Sequence, residues 1–355
     1  MYLLEKTLKE IKPAFENSKI KARERMDSLV KPLGSLGKLE DTAIKLAGIT
    51  GSLNNKVDKK CIIVMSSDNG VVEEGVSNSP QSVTAVQTIN FLKGIAGVSV
   101  LAKHVGADLR VIDMGVNADI QYPGLINKKI RKGTHNIAKG AAMSYEEAIQ
   151  SIETGIEIVS SLENEGYNVL GTGEMGIGNT STSSAVLMTL TGCNAEIAVG
   201  KGSGLTEEGF ENKKRIIYKA IKINKPNKEN PIDVLSKVGG FDIGGMVGCF
   251  IGAAYHRIPI LIDGFISAVA ALLAYKLNPL IIDFMFLSHY SIEPGFDVVM
   301  DVLKLSPFLD LHMRLGEGTG GALAFNIIEA ANAIISEMAT FDEVAINDDF
   351  LIDIR

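Results

Sequence analysis

Apolar residues follow two different rhythms along this chain. Over the first fifty residues the spacing is helical. Leu3, Leu4, Leu8, Ile11 and Phe15 recur three or four apart, as along one helix face, and a second helical segment at 41–49 follows a bend at Lys31-Pro32-Leu33-Gly34. From Cys61 the texture changes. Short β-branched runs at 61–65, 109–112, 168–170, 196–199, 258–262 and 280–286 predict strands, and the stretches 82–105, 144–162 and 206–223 between them predict helices. Ser144 and Glu147 have the spacing of a capping box, and 322–341 reads as one more long helix. Strands apolar on both faces that alternate with helices belong to a parallel sheet covered by helices. The predicted fold is therefore α/β, a Rossmann-like parallel sheet flanked by helices, with a smaller helical domain formed from both chain termini. The expected division is 1–58 plus 322–355 for the small domain and 59–321 for the large one.

Bulk composition narrows the function more than the fold. The chain has 355 residues, which suits one large domain plus a smaller one. A formal charge of -7, from 35 basic and 42 acidic residues without a basic stripe, argues against a nucleic-acid partner. An anionic small molecule stays possible, because a local pocket can oppose the global charge. Cys61, Cys193 and Cys249 are odd in number, widely spaced and set in apolar or Gly-rich stretches, which reads as buried thiols in a reducing compartment. The first 25 residues are charged throughout and lack the apolar core of a signal peptide. The most apolar tract, 243–277, is interrupted by His256, Arg257 and Asp263, so it is expected to be core and not a membrane span. The expected location is the cytoplasm.

Candidate chemistry gathers where the predicted strands end. Glycines, small hydroxyls and single acids follow them in Ser66-Ser67-Asp68-Asn69-Gly70, in Gly171 through Thr180, in Gly200-Lys201-Gly202-Ser203-Gly204, in Asp263-Gly264 and in Gly316-Glu317-Gly318-Thr319-Gly320-Gly321. In open parallel sheets ligands bind at the carboxyl ends of strands, and glycine there lets backbone amides meet them. Gly171 to Gly176 matches GxGxxG, but no ribose-binding acid ends the next predicted strand, and a charged Glu174 would repel a pyrophosphate. The letters contain no GxxxxGK[ST] and no GxSxG elbow, which disfavours a P-loop and a serine hydrolase. Two readings of the glycine turns stay open, plain strand-to-helix connections and a monophosphate cradle. In the cradle reading Gly176, Gly178, Asn179 and Thr180 precede a helix beginning Ser181-Thr182-Ser183-Ser184, and the second turn and Lys213 complete the site. Glu317, between glycines, is open to a ligand from either side and suits a general base. The five histidines show no metal-ligand spacing, so no metal is expected.

These letters taken together resemble one family nearly end to end, the nicotinate-nucleotide–dimethylbenzimidazole phosphoribosyltransferases of cobalamin lower-ligand synthesis. The matching stretches are 25–40, Asp68-Asn69-Gly70-Val71, Glu74-Gly75-Val76-Ser77, 79–87, 133–138, 173–180, 200–205, Asp263-Gly264-Phe265, Ser288-His289, Glu293-Pro294-Gly295 and 314–320. GEMGIGNT followed by RLGEGTG is the most specific combination. The resemblance implies a six-stranded parallel sheet, a homodimer, no cofactor, and two small-molecule substrates, nicotinate mononucleotide and a benzimidazole-type base. It implies Glu317 as proton acceptor, a base pocket at Ser79 and Gln87, and nucleotide contacts at Gly176, Gly178, Asn179, Gly202, Ser203 and Lys213. Further substrate-binding candidates in the matched motifs are Glu174, Ile177, Thr180, Asp263, Ser291, Leu315 and Gly316. The chain departs from the family pattern twice. Many members have His where this chain has Asn69, and 240–245 differs from the commoner Phe-Glu-Ile-Ala form. The first departure is expected near the base pocket. Adenine or a phenol as acceptor, and a catalytically idle nucleotide-binding regulator, remain open alternatives.

Overall fold

The structure, a computed structural model, describes residues 2–202, 204–347 and 351–353. Ser203, one of the expected nucleotide contacts, lies outside the described residues. Six strands form one wholly parallel sheet: β1 Lys60–Ser67, β2 Asp108–Gly115, β3 Leu125–Asn127, β4 Val169–Met175, β5 Ile260–Ile262 and β6 Met285–Leu287. Their spatial order is β3-β2-β1-β4-β5-β6. The chain runs outward from β1 through β2 to β3, then crosses back to place β4 on the other side of β1. Direction of winding therefore reverses between β1 and β4, which opens a crevice at their carboxyl ends. Every residue of β1 is buried, which explains the unbroken Cys61-Ile62-Ile63-Val64-Met65 run. A separate parallel pair, β7 His289–Ser291 and β8 Leu309–Met313, leads into the Gly316–Gly321 loop.

The helix Tyr145–Asn164 starts at the expected capping box: Glu147 N donates to Ser144 Oγ at 3.1 Å and Ser144 N to Glu147 Oε2 at 2.8 Å. It packs backbone to backbone on the helix Phe241–His256. A Cβ on Gly155 would overlap Gly245 O, and one on Gly248 would overlap Ile152 O. Cys61, in β1, and Cys249, in the helix Phe241–His256, are buried and Cys193 is half-buried; burial pushes the Cys61 thiol up to about 12 and raises that of Cys249, as suits inert core thiols.

Local chemistry overrides the apolar pattern in several places. Residues 196–199 are not a strand. Asn194 Oδ1 accepts from Ile197 N at 3.1 Å and caps a short helix, Ala195–Ala198. Most of 280–286 is a 3-10 helix, Pro279–Phe284, started by Asn278 accepting from Leu280 N, and only Met285–Leu287 pairs with β5. β3, Leu125–Asn127, is three partly exposed residues, too short for its Leu-Ile pair to announce a strand. The long helix expected over 82–105 is two, Val83–Lys93 and Gly97–His104, because Gly94 turns left-handed with φ 76. By length and apolarity alone, 83–104 could cross a membrane; the break supplies instead a second helix N-terminus at Gly97. Near the start of the chain, Tyr2–Glu10 ends before Pro13, so Leu4 and Ile11 are buried while Phe15 is exposed at the head of the next helix, Glu16–Asp27.

The helix Thr319–Glu337 joins two apolar clusters. Its Ala331 and Ile335 pack with Ala22, Met26, Leu29, Ala43, Ile44 and Ala47 from the amino-terminal helices, whereas its Ala322, Ala324, Phe325 and Ile328 belong to the main core. We propose residues 1–58 plus 322–355 as the small domain on the strength of the first cluster, with this helix shared between the two.

Candidate active site

Glu317 sits in a loop of left-handed backbone, with φ 81, 65 and 99 at Gly316, Glu317 and Gly318. A non-glycine residue there is strained, and something must hold it. Asp263, immediately after β5, does so. Its Oδ2 accepts from Gly318 N at 3.0 Å and its Oδ1 from Gly320 N at 2.7 Å and Gly321 N at 3.3 Å. Glu174, near the end of β4, accepts from Glu317 N at 3.4 Å. β4 passes so close beneath that a Cβ on Gly173 would overlap Glu317 O. The Glu317 side chain is buried and both its oxygens have donors. Gln87 Nε2 donates to Oε1 at 2.6 Å, and Val98 N, in the first turn of Gly97–His104, to Oε2 at 3.2 Å. Asn90 Nδ2 donates to Gln87 Oε1 at 3.1 Å, which fixes the Gln87 amide with its NH2 towards Glu317. The helix dipole adds a second preference for a carboxylate at this spot.

Glu317 borders a cavity of about 440 Å³, within the usual range for small-molecule sites. At the far end stands Lys213 from the helix Glu207–Asn224. It is buried, donating to Thr180 Oγ1 at 2.9 Å and Gly200 O at 3.1 Å. Burial pushes its amine down to about 8, while Glu293 opposes that shift. Gly176, Ile177, Gly178 and Thr180 line the same end, together with Gly202 and Ser291. The helix behind them starts at Asn179, two residues earlier than expected, because Gly178 takes φ 95 and acts as its N-cap. Its first turn is therefore 179–182, which brings Thr180 rather than Ser183 to the lysine. The Asn179 side chain turns down into the floor, donating from Nδ2 to Glu174 Oε2 and, at 3.0 Å, to Asp242 Oδ2. Val76, Val83, Met175 and Leu315 add apolar surface to the lining, with Gln87 and Ser77.

A family model described as "Phosphoribosyltransferase" matches residues 11–346. The nicotinate-nucleotide–dimethylbenzimidazole phosphoribosyltransferase of Clostridium perfringens (strain ATCC 13124) is 55% identical over 353 residues, covering 99% of this chain and 98% of that protein. The protein of the same name from Clostridium tetani is 54% identical over 356 residues, covering 100% and 98%. The chain belongs to the nicotinate-nucleotide–dimethylbenzimidazole phosphoribosyltransferase family. A solved structure of CobT from Thermus thermophilus superposes with a TM-score of 0.90 at 37% identity, covering 94% of this chain and 99% of that one.

In this phosphoribosyltransferase most of the sequence candidates converge on one cavity. Gln87, Glu174, Gly176, Ile177, Gly178, Asn179, Thr180, Gly202, Lys213, Asp263, Ser291, Leu315, Gly316 and Glu317 all line it. Ser79 is not in the lining. Its amide donates to Ser77 Oγ at 3.2 Å, which turns the chain away and leaves Ser77 at the wall. Gln87 grips the Glu317 carboxylate. Asp263 has both oxygens committed to backbone amides, which makes it the anchor of the Glu317 loop. Asn69, where many family members carry His, is fully buried under Gly176 and outside the lining. That departure therefore bears on the floor and not on the base pocket. Sequence reasoning missed the Val98 amide, a main-chain group with no signature, and the lining residues Phe265, Glu293 and Arg314.

Proposed function

We propose that this enzyme moves the 5-phosphoribosyl group of nicotinate mononucleotide onto 5,6-dimethylbenzimidazole, giving alpha-ribazole 5'-phosphate and nicotinate with inversion at C1′, with Glu317 as the proton acceptor. The observation that carries this reading is the distribution of charge along the cavity: a buried lysine and a helix N-terminus at one end, and a carboxylate gripped by Gln87 and the Val98 amide at the other. The nucleotide phosphate fits the first end and the base the second. The pyridinium leaving group departs as a neutral ring nitrogen and needs no acid. The acceptor attacks C1′ through one ring nitrogen and becomes cationic. Glu317 takes the proton from the other nitrogen, and its charge favours the cationic transition state. Holding phosphate and ribose fixes C1′ beneath the base, and such orientation contributes at best about 7 to 11 kcal/mol.

The test is incubation with both substrates, followed by chromatography and mass spectrometry. An alpha-riboside monophosphate and free nicotinate are expected. Product only with adenine or a phenol would keep the mechanism and change the acceptor, whereas nucleotide binding without any product would favour the regulator reading. Lys213→Met is expected to raise the Kd for nicotinate mononucleotide about ten- to a hundredfold, the worth of a charge-assisted hydrogen bond, with a smaller change in kcat. Titration calorimetry checks this, and an unaltered Kd would move the phosphate elsewhere. A cytoplasmic homodimer completes the proposal. Ile95, Val100 and Leu315, which are 65%, 55% and 61% exposed, share one shallow apolar depression beside the Glu317 loop that suits a second copy.

A further inference from the structure

Two carboxylates meet at the floor of the cavity. Glu174 and Asp242 are both buried, and one nitrogen, Asn179 Nδ2, reaches an oxygen of each. On the far side of Asp242, its Oδ1 has no hydrogen-bond partner. That oxygen crowds the same face of Gly240 as Asn69 Oδ1, so that one methyl group built on Gly240 would overlap both. Asn69 Oδ1 already accepts from Thr182 Oγ1 at 3.2 Å. The two carboxylates thus crowd onto one bridging nitrogen while one of their oxygens goes without a partner, which is costly when both groups are charged.

We infer that Glu174 and Asp242, which meet at the Asn179 amide, hold one proton between them on a carboxyl oxygen, and that this proton lets the anionic donor bind above them. The pair then carries one negative charge where it would otherwise carry two. The inference rests on the proposed donor only for its binding consequence. Burial, then repulsion from Asp242 and Asp263, pushes Glu174 up to about 8, and burial pushes Asp242 up to about 6. The other charged groups facing the pair are Asp263, which is itself raised by burial and has His289 behind it, the Glu317 carboxylate on its loop, and Lys213 across the cavity. Near neutral pH the pair retains its proton. As pH rises through about 8 the proton leaves to solvent, the floor becomes doubly charged, and donor binding weakens.

Lys213 loses charge over the same range and weakens binding in the same direction, so the test compares variants that all keep it. Infrared difference spectra between pH 7 and pH 9, without ligand, should show a carboxylic-acid carbonyl stretch in the wild type that vanishes at the higher pH. The midpoint of that loss should fall by about one unit or more in Asp242→Asn, and the band should be missing in Glu174→Gln. With nicotinate mononucleotide as the probe, the wild-type Kd divided by that of Asp242→Asn should grow about tenfold per pH unit above 8, as one required proton dictates. A band unchanged in both variants, or a Kd ratio that stays flat with pH, would overturn the shared proton. If the wild type bound no nucleotide, the donor reading would fail on its own and the infrared result would still decide.

Discussion

Glu317→Gln is expected to cut kcat by about 10² to 10⁴, the range a general base supplies, while the Kd for nicotinate mononucleotide stays within a few-fold. The substitution keeps the shape of the side chain but not its acceptor pattern. The carboxylate receives Gln87 Nε2 on one oxygen and Val98 N on the other. An amide has one oxygen, so its NH2 must face one of those donors, and the side chain loses one hydrogen bond as well as its basicity. The phosphate end, at Lys213 and Gly176–Thr180, is untouched. Glu317→Asp keeps the charge and shortens the reach, and should recover part of the rate. Equal kcat in wild type and Glu317→Gln, by steady-state kinetics at saturating base, would remove Glu317 from the chemistry.

Asp263→Ala should be the most damaging change away from the reacting atoms. It strips the acceptor from Gly318 N, Gly320 N and Gly321 N. A buried donor left unmade costs about 1–3 kcal/mol. Removing a carboxylate that burial already disfavours offsets part of this, so a net loss of about 3 kcal/mol is expected. The strained Glu317 backbone would relax with its anchor gone, and a displacement of about 1 Å costs turnover about 10²-fold. Donor affinity should change little. Asp263→Asn, which keeps one accepting oxygen, should fall between the two. Thermal unfolding and the split of kcat from KM read out the result; wild-type turnover in the alanine variant would mean that the loop holds itself.

Legibility in the sequence tracked how local the cause was. β1 and β4 announce themselves because their runs are buried on both faces, and Tyr145–Asn164 and Glu207–Asn224 because a capping residue and an apolar face agree. The errors came where a nearby side chain outbid the pattern: Asn194 at 196–199, Asn278 and Pro279 at 280–286, Gly94 inside 82–105. β3 pairs with β2 over three residues, and its Leu125-Ile126 pair is too short a run to mark a strand in the letters. At the site, Glu317 stood out by its flanking glycines and Lys213 by lying in the helix that follows the Gly200–Gly204 turn. What those residues touch did not. Gln87 meets Glu317 across 230 residues of chain, Val98 contributes only an amide, and Asp263 looked like a ligand contact because an acid after a strand looks the same whether it faces substrate or backbone. Ser79 lies outside the lining, where Ser77 stands instead.

The left-handed backbone at Glu317 also sets selection for robustness against selection for turnover. With φ 65, that position favours glycine or asparagine on conformational grounds alone. A laboratory screen rewarding only heat tolerance would therefore press on this codon, and its winners would be hardier proteins that had shed their reactivity. On the proposed mechanism, it is the reaction and not the architecture that calls for an acid there.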